Sequence, residues 1–142
     1  MKIILEKTLI SREIETRIQK FWDKNNFWEN DINSKKPAFC VMMPPPNITG
    51  NLHMGHALDN VLTDIICRYK RMDGFDVLWQ PGTDHASIAT QLLVERELSK
   101  NGINPKKLSK QELLSYAHKW KEEKGNQIVN QLHVLGVTPA WS

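Results

Sequence analysis

The sequence predicts an α/β fold in which parallel strands are joined by crossover helices. Two short apolar runs, Phe39–Met43 and Phe75–Trp79, have the length and character of buried strands. Residues 54–72 lie between them and place apolar side chains at the helical period. A glycine-bearing loop separates the first run from this helix, as in sites that bind nucleotide phosphates. Strand, helix and strand at this length imply a parallel pair with a right-handed crossover.

The composition is that of a soluble globular domain of 142 residues, with 40% hydrophobic and 25% charged residues. The net charge of +3 is too small to indicate a nucleic-acid-binding protein by itself. No apolar run approaches membrane-spanning length, and Glu6 and Lys7 come too early for a signal peptide, so we expect a cytoplasmic protein. Cys40 and Cys67 form no metal-binding pair, and we expect two buried or half-buried thiols.

The region before the first strand predicts a helical arm and a loop. Residues 11–25 carry apolar groups at helical spacing, and Ser11 is available as the N-cap. Residues 30–37 are polar, end in a proline and predict a loop. We expect the aromatic residues of this region to make core contacts: Phe21, Trp22, Phe27 and Trp28.

Three helices are predicted beyond the first strand. The 54–72 helix ends in basic residues, which suit the helix dipole, and Gly74 then stops it. A second helix follows residues 80–85 and ends near Gly102, with Ile88, Leu92, Leu93 and Leu98 predicted to face inward. Ser109 and Glu112 form a capping box for a third helix, which Gly125 weakens and Gly136 ends. Two apolar stripes are predicted, one at Ala57, Leu58, Val61, Leu62, Ile65, Ile66, Tyr69 and Met72, the other at Leu113, Ala117, Trp120, Ile128, Leu132 and Leu135.

Both candidate site loops follow a strand. Ligands of open α/β sheets bind beyond the carboxyl ends of the strands, and parallel neighbours end at the same edge. We therefore expect the loops at 44–55 and 80–85 to lie side by side. Asp84 would then face His53 and His56 across one cleft, although the sequence separates them by some thirty positions.

Residues 44–56 read Pro-Pro-Pro-Asn-Ile-Thr-Gly-Asn-Leu-His-Met-Gly-His, a block that resembles the first signature of the class I aminoacyl-tRNA synthetases. Met54 replaces the isoleucine of the usual His-Ile-Gly-His element. Residues 80–91 begin Gln-Pro-Gly-Thr-Asp-His and resemble the valine-specific members, whereas the isoleucine and leucine relatives carry Gly-Trp-Asp. The family usually has glycine where this chain has Ser87, and an acidic residue where it has Ala140. The resemblance covers nearly the whole chain.

This resemblance implies the N-terminal half of a Rossmann-like catalytic domain at 37–142, truncated at its C-terminus, preceded by an arm at 1–36. It implies a valine-tRNA ligase, which uses ATP to activate L-valine as valyl-adenylate and transfers it to tRNA(Val). ATP would enter as its Mg²⁺ complex, no protein-bound metal is expected, and family members are usually monomeric. Since the second half of the fold is missing, we expect these residues alone not to charge tRNA.

The resemblance also assigns roles to individual residues. His53 and His56 would be catalytic, donating to phosphate oxygens as charge develops on them. Asp84 would match the ammonium group of the amino acid. The implied ATP-binding residues are Asn47, His53, Gly55 and His56, and the implied amino-acid-binding residues are Pro45, Asn47 and Asp84.

Other interpretations of these residues stay open. The two histidines could cap the helix, and Asp84 could be an N-cap. Lys107-Leu-Ser-Lys110 resembles the second signature, Lys-Met-Ser-Lys-Ser, but Ser109 is better explained as a capping serine. The whole chain could be a small nucleotidyltransferase of the same fold, although such enzymes usually carry a Gly-x-Phe-Asp-Pro-like turn. It could also be a fragment that binds ATP or an adenylate without catalysis.

Overall fold

A two-stranded parallel sheet with helices around it organises the protein. The computed structural model describes residues 8 and 10–141, so the start of the predicted arm and Ser142 lie outside the described residues. The described residues form α1 Ser11–Asn25, β1 Ala38–Met42, α2 Met54–Met72, β2 Asp76–Gln80, α3 Ser87–Lys100, a 3-10 turn at Pro105–Lys107 and α4 Lys110–Leu135.

The predicted parallel pairing of the two strands is confirmed. Ala38 lies opposite Asp76, and the register continues to Met42 opposite Gln80. Each strand is displaced by one residue from the apolar run that predicted it. The single crossover between the strands is α2, whose predicted bounds are those observed. Hence the carboxyl ends of both strands meet at one edge of the sheet.

Local capping signals decide where α4 begins and ends. Ser109 Oγ accepts from the backbone N–H of Glu112, and the Glu112 carboxylate accepts from the backbone N–H of Ser109 at 2.8 Å. Gly136 ends the helix at φ 75°, a left-handed conformation that favours glycine. The helix is continuous through Gly125, so the expected weak point does not interrupt it. The prediction for α1 is wrong in one respect, because Ser11 is the first helical residue and makes no capping hydrogen bond.

The hydrophobic core lies between the sheet, one turn of α2 and the second half of α4. Trp79 at the end of β2 is fully buried, and its carbonyl accepts a hydrogen bond from Ala140 N at 2.9 Å. The segment after α4 is therefore held beside β2. Eight buried residues form the core cluster: Met43, Ile48, Cys67, Val77, Trp79, Ile128, Leu132 and Val137.

The face of α2 that points into the protein is polar. Asp64 accepts from Arg68 Nε at 2.6 Å and from Thr138 N at 2.9 Å. Arg71 donates to Thr138 Oγ1 at 2.9 Å and to Trp28 O at 3.3 Å. Both guanidinium groups also lie over the Trp28 ring, at 5.3 and 5.1 Å from its centroid. This network joins the arm, α2 and the segment after α4.

The apolar stripe of α2 faces solvent instead. Ile65 is 57% exposed, and Met72 is 82% exposed. Such a stripe ordinarily faces a core. Leu58 and Leu62 of the same stripe are 60% and 52% exposed, so α2 leaves an apolar face open to solvent.

Several other predicted burial positions are wrong. Ile88 and Leu92 of α3 are exposed, whereas Leu98 is buried as predicted, together with Thr90 and Val94. The arm aromatics form mutual pairs, Phe21 with Phe27 and Trp22 with Trp28, and both phenylalanines are about half exposed.

Of the thiols, Cys67 is buried, and burial raises its pKa, whereas Cys40 is exposed. No helix in the described part of the chain is long and apolar enough to cross a membrane.

Candidate functional site

The two predicted loops lie side by side beyond the strands. Asp84 N donates to Pro46 O at 2.9 Å, and Ile48 N donates to Asp84 O at 2.9 Å. Asn47 and Asp84 thereby form an isolated parallel bridge. The parallel pairing of β1 and β2 thus resumes in the loops, and the prediction that both loops share one edge of the sheet is confirmed.

Pro45 and Asp84 both lie exposed at this edge. A Cβ atom on Gly82 would lie 3.9 Å from Pro45 Cβ, which places the two loops in van der Waals range. Asp84 Oδ1 accepts from Ala86 N at 2.9 Å, and Oδ2 has no partner among the described residues. The interpretation of Asp84 as the N-cap is wrong, because Ala86 occupies that position. The carboxylate of Asp84 is therefore fixed at one oxygen and open to a cation at the other.

The backbone after Asp84 is strained. Ala86 and Ser87 have φ values of 49° and 24°, in the left-handed region that favours glycine. A serine in the first turn of a helix is ordinarily acceptable, but the positive φ makes it unfavourable at position 87. The departure of Ser87 from the family pattern therefore has a structural cost.

We expect Ser87→Gly to raise the free energy of unfolding by about 1 kcal/mol, because glycine adopts positive φ without steric conflict. Ser115→Gly is the control, since Ser115 is exposed within α4 and its loss should destabilise by roughly 0.5 kcal/mol. Urea denaturation of the three proteins measures both changes. Destabilisation by both substitutions would contradict the strained conformation at Ser87.

The two histidines of the first signature cap α2 reciprocally. His53 is the N-cap, and its Nδ1 accepts from Gly55 N at 3.1 Å. His56 Nδ1 accepts from His53 N at 3.2 Å, and the two rings stack with centroids 3.9 Å apart. Since both Nδ1 atoms accept, the neutral rings carry their protons on Nε2. The capping interpretation is confirmed, and it leaves two N–H donors beside the N-terminus of a helix.

Gly55 lets the His53 ring approach the first turn of α2 closely. A Cβ atom at this position would lie 3.0 Å from His53 Cε1 and 3.1 Å from His53 Nδ1. The absence of a side chain at Gly55 therefore lets the His53 ring fold back over the first turn of α2, in addition to leaving the backbone open to a ligand.

Burial, and next the neighbouring His53, lowers the pKa of His56 below its ordinary value of 6.5, while Asp59 opposes the shift. The folded protein therefore prefers the neutral ring. The contribution of the neutral His56 ring to stability is complete above pH 6.5. It is lost as the pH falls below that value, because the unfolded chain takes up the proton first. We expect the melting temperature to fall between about pH 7.5 and about pH 5, and to fall less in His56→Asn. An NMR titration that places the His56 pKa at or above 6.5 would contradict this.

One face of α4 supports the first signature loop, which the apolar pattern of the sequence does not reveal. By that pattern Trp120 is only a member of an apolar stripe, and the glutamines of α4 do not stand out. The available signal is their spacing, because residues 120, 127 and 131 share one helical face. Three hydrogen bonds join α4 to the loop: Trp120 Nε1 to Ile48 O at 2.9 Å, Gln127 Nε2 to Asn51 Oδ1 at 2.6 Å, and Leu52 N to Gln131 Oε1 at 2.9 Å.

Two cavities lie beside the candidate site. His53 lines a groove between the start of α2 and α4, whereas His85 lines a separate pocket of about 380 Å³ between α3 and α4. No hydrogen bond or ring contact in the described part of the chain joins Asp84 to either signature histidine. His85 and His118 are exposed, and Ser109 serves as a capping residue, as predicted.

Comparisons with known proteins identify the family. A family model described as tRNA synthetases class I (I, L, M and V) matches residues 17–142. Valine–tRNA ligase of a Nitratiruptor species is 52% identical over 134 residues, which are 92% of this chain and 15% of the relative. Valine–tRNA ligase of Carboxydothermus hydrogenoformans is 48% identical over 141 residues, which are 99% of this chain and 16% of the relative. The chain thus spans about 15% of the length of these curated relatives.

A solved structure supports the fold. The chain is similar, with a TM-score of 0.74 and 21% identity, to the crystal structure of the ternary complex of Agrobacterium radiobacter K84 agnB2 LeuRS-tRNA-LeuAMS. The match covers 94% of this chain and 15% of that chain, and it confirms the predicted Rossmann-like α/β fold. The family model extends over most of the sequence, both signature loops included. The chain belongs to the class I tRNA synthetases.

Proposed function

We propose that this chain is the first part of the catalytic domain of a valine-tRNA ligase, with residues 37–142 forming the first half of that domain and 1–36 its arm. The observation that carries the proposal is the bridge between Asn47 and Asp84, which holds the two signature loops together. The identity with valine–tRNA ligases over nearly the whole chain supports the choice of amino acid. The complete enzyme activates L-valine with ATP and transfers it to tRNA(Val).

In this proposal the two loops divide the work between phosphate and amino acid. His53 and His56 donate their Nε2–H groups to the phosphates of ATP, and the N-terminus of α2 adds its partial positive charge. The open oxygen of Asp84 binds the ammonium group of valine. Pro45 and Asn47 contact the amino acid from the adjacent loop. Magnesium enters with ATP, as part of the substrate.

The reaction needs no covalent intermediate on the protein. The valine carboxylate attacks the α-phosphorus of ATP and displaces pyrophosphate, so that catalysis consists of positioning and of stabilising phosphate charge. Neutral histidines suit this role because each can donate from Nε2 while Nδ1 stays bound to the backbone. The lowered pKa of His56 favours the neutral ring in the folded protein.

The chain supplies only part of such a site. No hydrogen bond within the described residues joins Asp84 to either signature histidine, and the exposed apolar stripe of α2 is suited to packing against further polypeptide. We therefore propose that valylation of tRNA requires additional domains, as the greater length of the relatives suggests.

Melting temperature in the presence of a non-hydrolysable valyl-adenylate analogue tests the proposed site. A ligand at a hundred times its dissociation constant adds about 2.7 kcal/mol of stability. We expect a rise with the valyl compound, a smaller rise with the isoleucyl compound, and loss of the rise in Asp84→Asn. Asp23→Asn is the control, because Asp23 lies on α1 and retains an acceptor after the change.

Three results would contradict the proposal. Equal shifts with the two analogues would remove the assignment to valine. A shift that survives Asp84→Asn would remove the role of that carboxylate. Charging of tRNA(Val) by the 142-residue chain alone would show that no further domain is required.

A further inference from the structure

We infer that one face of α4 positions the first signature loop, and that Trp120, Gln127 and Gln131 are positioning residues for the two capping histidines. These three residues, called here the α4 clamp, touch no reacting atom in the proposed mechanism. They hold residues 48–52, the segment that delivers the chain to His53. The inference rests on the proposed function, because it concerns how the proposed phosphate donors are aimed.

The clamp residues are aligned by helix geometry. Positions 120, 127 and 131 are separated by seven and four residues, which places them within roughly 40° of arc on an α-helix. Ile128 and Leu132 lie beside this face, and both are buried in the core. The clamp therefore projects from a helix whose own position is fixed by packing.

Each clamp residue uses a different kind of contact. Trp120 donates to a backbone carbonyl, that of Ile48, and Gln131 accepts from a backbone N–H, that of Leu52. Gln127 donates to the side chain of Asn51. The loop is thus held at three successive points in the five residues before the N-cap of α2.

Lys124 orients one member of the clamp. Its Nζ lies 3.5 Å from Gln127 Oε1 and 5.2 Å from the centroid of the Trp120 ring. With Oε1 facing an ammonium group, the amide of Gln127 presents Nε2 to Asn51. The spacing of Lys124 from Trp120 and Gln127 keeps all three on the same face of α4.

The clamp also reaches the second signature loop through a single residue, Ile48. The Ile48 carbonyl accepts from Trp120, while the Ile48 N–H donates to Asp84 O. Ile48 itself is buried in the core. A shift of α4 would therefore move the His53 side and the Asp84 side of the site together.

Positioning can be separated from folding because Gln131 is only half buried and its amide makes a single hydrogen bond. Gln131→Met keeps the length of the side chain and removes the acceptor. Gln131→Glu keeps an acceptor for Leu52 N. Gln111→Met is the matched control, since Gln111 is exposed in the first turn of the same helix and has no hydrogen-bond partner among the described residues.

The experiment is NMR on the 142-residue chain, with melting temperature followed in parallel. In Gln131→Met we expect amide exchange at Leu52 to accelerate by roughly fivefold or more, the factor expected for one lost hydrogen bond. We expect the ring nitrogen signals of His53 and His56 to change from the Nε2–H form to a mixture of both tautomers. Melting should stay cooperative. Gln131→Glu should restore both signals, and Gln111→Met should leave them unchanged.

Unchanged Leu52 exchange and unchanged tautomers in Gln131→Met would overturn the inference. So would equal changes in Gln111→Met, failure of Gln131→Glu to restore the signals, or loss of cooperative melting, which would make Gln131 a folding residue. None of these readouts uses a ligand. The inference about the clamp can therefore hold even if the adenylate analogue does not bind. Failure of the inference and failure of the proposed function are thus distinguishable.

Discussion

Asp64→Ala is expected to lower the free energy of unfolding by about 2–4 kcal/mol, because it removes the acceptor of buried donors and one partner of a charge pair whose arginine is partly exposed. Asp64 is 8% exposed and accepts from Arg68 and from both the N–H and the hydroxyl of Thr138. Its loss leaves the N–H of Thr138, a fully buried residue, without its acceptor. It also leaves the Arg68 guanidinium without its carboxylate.

Asp59→Ala is the matched control on the same helix. Asp59 is exposed, and its carboxylate accepts no hydrogen bond from the described residues, so its removal should change stability by about 0.5 kcal/mol or less. Urea denaturation followed by circular dichroism measures both variants. A loss below about 1 kcal/mol in Asp64→Ala would mean that the network contributes specificity rather than stability.

Trp79→Ala is expected to cost a similar amount, about 3–5 kcal/mol, because it empties the largest fully buried side-chain position of the core. The indole packs at the end of β2, where the backbone carbonyl also holds Ala140. A cavity at this point would loosen both the sheet and the segment after α4. Chemical denaturation should show the loss as an earlier midpoint.

Trp79→Phe separates volume from polarity at this position. The indole N–H of Trp79 is buried without a partner among the described residues, so phenylalanine removes an unsatisfied donor while it keeps most of the packing. We expect its cost to be clearly smaller than that of alanine. Phe27→Ala is the control for an aromatic side chain that is about half exposed. Equal losses in Trp79→Phe and Trp79→Ala would contradict the cavity explanation.

The sequence predicted the helices best where the signal was local. The capping box of Ser109 and Glu112 and the stop at Gly136 act within a few residues, so no tertiary information was needed. The parallel strands followed from one crossover helix of suitable length. Their bounds shifted by one residue because hydrogen bonding, and not hydrophobicity, defines where a strand ends.

Burial could not be predicted in the same way. The apolar stripe of α2 was correctly placed on one face, but which face becomes buried depends on the polypeptide packed beside it. Arg68 and Arg71 were explained by the helix dipole. The structure uses them as donors to Gly136 and Thr138, residues that lie more than sixty positions away in the chain. Periodicity carries no information about such partners.

The sequence predicted which loops lie together at the candidate site, but not the hydrogen bonds that their side chains make. The shared edge of the sheet followed from topology, and it brought Asn47 to Asp84. The reciprocal capping by His53 and His56 could be predicted only by knowing that their rings turn back toward the helix. The hydrogen bonds that Gln127 and Gln131 make with the loop depend on the docking of α4, which no local pattern reveals.

The solvent-facing stripe of α2 also governs how stability responds to temperature. The heat capacity change of unfolding arises from newly hydrated apolar surface, and ordinary domains gain about 12–15 cal/mol/K per residue. Leu62, Ile65, Ile66 and Tyr69 are each at least half exposed before unfolding begins, so their hydration contributes little to that change. We therefore expect a flatter stability curve, in which cooling changes the free energy of unfolding of this chain less than that of a fully packed domain of equal length.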